Sequence, residues 1–336
     1  MYAAAEPSVA GIRISATSCY IPCTRAQAST QSQDAHAAPT SPRDIAMHSI
    51  YEDVLRWRAA SRSSDDPGEP APAPAQHVSI EPTMTVTEMA LLAARQAVQP
   101  LSAEADRAVD QVIVCATSLE HDLAMSCAGR MHGEFRSTRP PLAIGQLQAV
   151  SAFLAIQMAG DMMVEDEHLG TVLVVGAERW LAPFSRLAGF IALGDGAAAA
   201  MIRRGSGAGW LVRGVSVCTP FSDRGADEWM DVQTVADVID QACRNAGLSV
   251  RAIDRIVPPR VAPALVRSVG ARAGLRADRT WYPRIDDIGY LCAADPFSQL
   301  HAYSHVHRPA IGERVLLWST GLQGQAACVI LEYRAD

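Results

Sequence analysis

Residues whose types can do chemistry fall in a few places along this chain. Ser151 opens a run, Val150 to Met163, that is apolar nearly all round, and a serine there can act as a nucleophile only beside a base. Downstream, Tyr290, Cys292 and Asp295 lie within six positions, offering a weak acid, a thiol and a carboxylate together. Arg260 follows the pair Pro258-Pro259, and an arginine is a poor base. His301 and His305 share one helical face at the i, i+4 spacing of metal ligands, with His307 close behind. With no HExxH glutamate, their expected role is as solvated or C-terminal dipole partners of a helix, and no metal is expected. Gly194-Asp195-Gly196 is not a phosphate loop, because no G-x-x-x-x-G-K-[ST] follows, so a tight backbone turn is expected. The eight cysteines, at 19, 23, 115, 127, 218, 243, 292 and 328, contain no CxxC pair. Cys115 and Cys328 lie inside apolar strand-like runs, which suits buried small hydrophobes in a reducing compartment.

Elements that would position these residues are legible from periodicity. Gly11 to Ile21 alternates as a first strand. Residues 24–83 form a long Ala-, Pro-, Ser- and Asp-rich excursion, with a short helix expected near Ile50 to Trp57 and a surface or poorly ordered stretch at 61–77. Thr87 to Val98 reads as a helix capped by Thr85 or Thr87, Gln111 to Ala116 as an apolar strand, and Ala124 to Phe135 as a helix. Val150 to Met163 predicts a helix buried on every side. Thr171 to Gly176 predicts a strand of the parallel-sheet type. Leu211 to Val217, Arg255 to Val257, Thr280 to Tyr282, Arg314 to Ser319 and Gln325 to Tyr333 read as strands. They are interleaved with helices at Val232 to Ala246, Pro263 to Ala273 and Ala293 to Val306. The same strand-helix alternation in both parts predicts an α/β protein built by duplication, with halves at 1–205 and 206–336.

With 49% hydrophobic and 19% charged residues, the chain is of globular composition. A net charge of −7 without a basic run argues against nucleic acid. There is no apolar run of membrane-spanning length and no basic-then-apolar leader, so a cytoplasmic protein with no membrane partner is expected.

Four segments together resemble the ketoacyl synthase III family. Gln148-Ala-Val-Ser-Ala-Phe-Leu-Ala155 resembles the nucleophile turn and buried helix, which in the family reads roughly A-C-S-G-F. Thr171-Val-Leu-Val-Val-Gly-Ala-Glu178 is similar to the strand that leads from that helix. Leu193-Gly-Asp-Gly-Ala-Ala-Ala199 is similar to the GDGAGA strand entry. Gly289-Tyr-Leu-Cys-Ala-Ala-Asp-Pro-Phe297 resembles the G-H-x-x-x-A-D-P-F variant of the acyltransferase-like members. The C-terminal Gly321-Leu-Gln-Gly324 is similar to the glycine-rich loop beside the acyl site. The likeness runs from about Gly11 to Tyr333. It implies a thiolase fold with five α-β-α-β-α layers, working as a dimer.

What the resemblance implies for the site is a degenerate triad. The cysteine position holds Val150, which carries no nucleophile; a one-residue shift would place Ser151 there. Pro259 stands where the family has its histidine, and Tyr290 at the third position. Asp295 matches an aspartate of the acyltransferase-like members, and capping or pairing within its helix is an equal reading. Two functions stay open. One is a non-catalytic subunit, a pseudoenzyme, pairing with an active ketoacyl synthase III-like protein in bacterial polyketide or fatty-acyl secondary metabolism. The other is an acyltransferase acting on acyl carrier protein or coenzyme A thioesters through Ser151 or Cys292, with no resident cofactor. A homodimer that keeps the tunnel as a ligand-binding protein is a third, blander reading. The family likeness further places Thr171 to Gly176 at the centre of the dimer interface and Cys127 to Phe135 near the partner's tunnel.

Overall fold

The computed structural model describes residues 11–28, 77–99, 109–118, 126–180, 186–188, 191–205, 207–220, 231–282, 287–321 and 323–335. Its strands are β1 (Ile12–Tyr20), β2 (Thr24–Gln27), β3 (His77–Ile80), β4 (Gln111–Ala116), β5 (Leu142–Gly145), β6 (Thr171–Glu178), β7 (Leu187–Ala188), β8 (Ile191–Ala192), β9 (Gly196–Arg204), β10 (Gly209–Cys218), β11 (Arg255–Val257), β12 (Arg314–Thr320) and β13 (Ala326–Arg334). Its helices are α1 (Val86–Val98), α2 (Cys127–Phe135), α3 (Val150–Glu165), α4 (Val232–Asn245), α5 (Pro263–Ala273) and α6 (Asp295–His307).

Hydrogen bonding runs β11-β12-β13-β10-β1-β9-β6-β4-β5. Within that order lies a repeat. From the junction outward, β1-β9-β6-β4-β5 and β10-β13-β12-β11 follow the same scheme, and a bridge between Ile256 and Thr280 stands where the second part would have its fifth strand. In each part the two inner pairings are antiparallel and the outer ones parallel. The parts meet through only two register pairs, Arg13 with Leu211 and Ile14 with Trp210.

Side-chain alternation then separates the layers. On β6, Val172 and Val174 face a core shared with α3 and α6, whereas Leu173, Val175 and Ala177 face α1 and α2. On β13, Ala327, Val329 and Leu331 face that same shared core, and Ala326, Cys328 and Ile330 face α4 and α5. The sequence of layers is therefore α1/α2, sheet, α3/α6, sheet, α4/α5, which is the five-layer thiolase fold. α3 touches β4 and β6 of one sheet and β10 and β13 of the other, but Leu154, Gln157, Met158, Asp161 and Met162 form a half-buried stripe and Val164 is exposed, so the helix is not buried on every side as expected.

Local signals explain several boundaries. Thr85 caps α1 through a reciprocal box with Glu88. Pro263 opens α5, and Gly274 closes it at a left-handed φ of 69°. Three expectations need correction or placement. Thr280 to Tyr282 makes a single bridge rather than a strand, because its neighbour β11 is itself only three residues long. The ends of the excursion are ordered, with Thr24–Gln27 pairing antiparallel with His77–Ile80. The helix expected near Ile50 to Trp57 and the stretch 61–76 lie outside the described residues. No helix among the described residues is long and apolar enough to cross a membrane.

Candidate functional site

The start of α3 is delivered by a tight turn in which Gln146 and Gln148 take left-handed φ angles of 62° and 49°. Non-glycine residues in that region are strained, and strain of this kind gathers at functional sites. The turn's carbonyls collect the first helical amides: Val150 N–H donates to Leu147 at 3.1 Å and Ser151 N–H to Gln148 at 3.2 Å. No side chain caps the helix. Val150 is fully buried in the central core, so an isopropyl group stands where the helix dipole would favour an anion. The Ser151 hydroxyl is buried and donates to the Gln148 carbonyl at 2.5 Å.

Tyr290 reaches the same turn from the opposite sheet. Its hydroxyl donates to the Thr320 carbonyl at 2.9 Å and lies 3.2 Å from Ser319 Oγ. Burial, with the charges around Cys292 and Asp295, pushes its ionisation well above that of a free phenol, against opposing bonds from Ser319 and the Ala149 amide. Tyr290 is thus a neutral hydrogen-bonding group. Ser319 also borders a narrow crevice with no room for a water molecule, lined with Pro258, Pro259, Asp295, Gln299 and Trp318. Gln299 Oε1 and Trp318 Nε1 are buried there without a hydrogen-bond partner among the described residues. Positions 149–151, 259, 290 and 295 are accordingly brought to one place by α3, the segment after β11, and the segment entering α6.

Asp295 is held by an ion pair. Its side chain and that of Arg260 are 1% and 2% exposed, and Nη1 of Arg260 donates to Oδ1 at 2.7 Å. The Arg260 backbone N–H donates to Oδ2 at 3.2 Å, and Nη1 also donates to Ser298 Oγ at 2.7 Å. A carboxylate tied in this way is a structural partner rather than a free base. Cys292 sits one turn earlier at a left-handed φ of 42°, fully buried. Burial, then the carboxylates of Glu178 and Asp295, pushes its thiol well above the usual range, so it stays protonated. Reactive thiols need the opposite, electropositive setting.

Glu178, which closes β6, ties this site together and was passed over by sequence reasoning. The signal was a lone charge ending an apolar strand. Its carboxylate is fully buried and accepts from the backbone amides of Thr117 (2.9 Å), Ser118 (2.7 Å) and Ala293 (3.2 Å). It joins the end of β4 to the turn at Cys292. That turn lies so close to β6 that a Cβ on Gly176 would come 2.2 Å from the Ala293 carbonyl oxygen, which requires glycine there. Burial raises the Glu178 carboxyl from 4.5 to about 7, the amide donors opposing. A raised carboxyl stabilises the fold below its ordinary value, and that contribution is lost as pH rises through about 7. From this group the wild-type unfolding free energy falls by about 3 kcal/mol between pH 4.5 and 8. Glu178→Gln removes that slope in urea titrations across this range. Parallel profiles for the two proteins would refute the assignment.

Among the described residues no group of three or more His, Cys, Asp or Glu side chains comes together as metal ligands. Sequence-family comparison matches residues 243–333 to the C-terminal part of 3-oxoacyl-[acyl-carrier-protein] synthase III. The C-terminal part of the chain carries the likeness to that synthase. No curated protein matches this chain by sequence. Solved structures match its fold throughout. The acyltransferase ChlB3 superposes with a TM-score of 0.72 at 16% identity, over 97% of this chain and 98% of that one. The 3-oxoacyl-[acyl-carrier-protein] synthase III of Aquifex aeolicus VF5 gives 0.68 at 17% identity, over 96% and 100%. A single-residue variant of Xanthomonas campestris OleA gives 0.69 at 14%, over 97% and 99%.

The strand pairing corrects one expectation. Thr171 to Gly176 cannot pair across a dimer axis, because β6 is bonded along its length to β4 on one side and β9 on the other. The edge of that sheet is β5, a strand that sequence reading missed.

Proposed function

We propose that this chain is the non-catalytic member of a ketoacyl synthase III-like pair acting in fatty-acyl or polyketide biosynthesis. The observation that carries the reading is the buried Arg260–Asp295 ion pair, taken with an apolar Val150 at the start of α3. In this reading Val150, Pro259 and Tyr290 occupy the family's three catalytic positions. Acyl transfer through an enzyme-bound thioester needs a nucleophile and a base within reach of each other. Val150 offers neither, Pro259 has no donor or acceptor side chain, Tyr290 and Cys292 stay protonated, and Asp295 is neutralised by Arg260. Ser151 gives its proton to a backbone carbonyl rather than to a base. The partner would bring the working site, and this chain would complete the assembly and its acyl tunnel, with acyl carrier protein delivering the substrate to the active member.

The free edge of β5 supports a place for that partner. Among the described residues β5 pairs only with β4, and its Ala143 and Gly145 are exposed while Leu142 and Ile144 are half-buried over the central core. Such an edge is a template for another chain's strand.

Two measurements test the proposal. Intact-mass spectrometry after incubation with acyl-carrier-protein and coenzyme A thioesters is expected to show the unmodified chain; a stoichiometric acyl adduct on Ser151 or Cys292 would instead establish an active acyltransferase. Light scattering is expected to show a stable pair when the chain is co-expressed with an active ketoacyl synthase III-like protein from the same source, weakened at least tenfold by Ala143→Lys at the exposed edge. A monomer both alone and with that protein would sink the pairing.

A further inference from the structure

The C-terminal half of α6 carries His301 and His305 on one face, with ring centroids 4.1 Å apart and planes tilted by 44°. Each ring is oriented by a backbone carbonyl. His301 Nδ1 lies 2.9 Å from the carbonyl of Thr17 on β1, with the Thr17 hydroxyl farther off at 3.4 Å. His305 Nδ1 lies 2.9 Å from the carbonyl of His301 itself. A carbonyl oxygen only accepts, so both Nδ1 atoms carry the proton and both Nε2 atoms present a lone pair. Neither Nε2 has a protein partner or is buried among the described residues. A ring fixed through Nδ1–H to a carbonyl with its other nitrogen free is the arrangement of a metal-ligating histidine, and here it occurs twice on adjacent helical turns. Burial of His301 and the neighbouring His305 ring lower its proton affinity further, favouring the neutral, ligating form.

We propose that His301 and His305 form a two-imidazole site for a borderline divalent transition-metal ion, bound through both Nε2 atoms. Imidazole nitrogen suits Ni²⁺, Cu²⁺ and Zn²⁺ rather than Mg²⁺ or Ca²⁺. Bonds of ~2.0–2.1 Å to each nitrogen need them about 3 Å apart, within reach of rings stacked this closely. Two protein ligands leave the remaining positions to water, so the site binds reversibly. It lies where α6 crosses β1, and metal there would clamp the helix end that His301 already ties to Thr17. This use is independent of the pairing proposed above.

Calorimetric titration of the full, untagged chain with NiCl₂ tests it. One Ni²⁺ per chain is expected, with binding at least tenfold weaker in His305→Ala and in His301→Ala, and unchanged in His307→Ala, whose ring packs against Trp281 and Tyr303 instead. Copper-loaded wild type should show the electron paramagnetic resonance splitting of two equatorial nitrogens. Because His305 is exposed, its variant decides the matter even if His301→Ala unfolds. Absence of Ni²⁺ binding by wild type, or binding by His305→Ala as tight as wild type, overturns the assignment.

Discussion

Asp295→Ala will lower the unfolding free energy by ~3–5 kcal/mol, the loss typical when one partner of a buried ion pair is removed. The arginine explains the size. Its side chain is 2% exposed, and among the described residues its charge would keep only the Ser298 hydroxyl and its Nε already lacks a partner. Arg260→Met will cost less, because Asp295 retains the amides of residue 260 and Leu291. The double change Arg260→Met with Asp295→Leu will cost much less than the sum, since an apolar pair removes both desolvation terms at once. Urea titrations of the wild type, Arg260→Met, Asp295→Leu and the double variant give the coupling directly. Additive losses, or a single-variant effect under about 1 kcal/mol, would mean that the pair does not hold the site together.

Val150→Cys will restore a thiol and no enzyme. The new thiol would sit at the uncapped start of α3, where the helix dipole favours a thiolate, but it would be as fully buried as Cys115, whose own thiol is pushed up to about 12. Peptide mapping of the folded protein should therefore find it alkylated no faster than Cys115. Turnover should stay at background. General acid–base assistance contributes typically ~10²–10⁴-fold, and Pro259 and the neutralised Asp295 supply none. The substitution itself is mild, comparable to the ~0.5–1.5 kcal/mol of deleting one buried methyl. Condensation or acyl transfer by this variant at rates like those of active ketoacyl synthases would show that another residue serves as the base.

Sequence made the framework visible where apolar periodicity is strong. β4, α3 and β6 are long, apolar and unambiguous, and Pro263 and Gly274 mark both ends of α5. β5 escaped because four residues after Pro140-Pro141 give too little alternation to stand out from a loop. β2 and β3 escaped because each is four residues long and flanks a proline-rich stretch. Val150, Pro259 and Tyr290 were singled out by a resemblance alone, residue by residue. What occupies the site could not. Arg260 and Asp295 are 35 residues apart, and nothing local to either announces the other. Glu178 looked like the end of a strand, and only the approach of the Ala293 amide makes it a tie between two segments.

The placement of β1 bears on how the protein is made. This first strand closes its own sheet against β9, pairing Ile12 with Arg204 and Tyr20 with Ala197, and touches the second sheet at Trp210 and Leu211. Ribosomes add ~5–20 residues per second, so β1 waits roughly 10–40 s for its partner to be synthesised. During that interval its apolar face and both of its edges lack their native cover. Ordering the N-terminal half is therefore paced by translation rather than by local propensity. Slowing elongation before residue 204 would lengthen the exposure of an aggregation-prone strand.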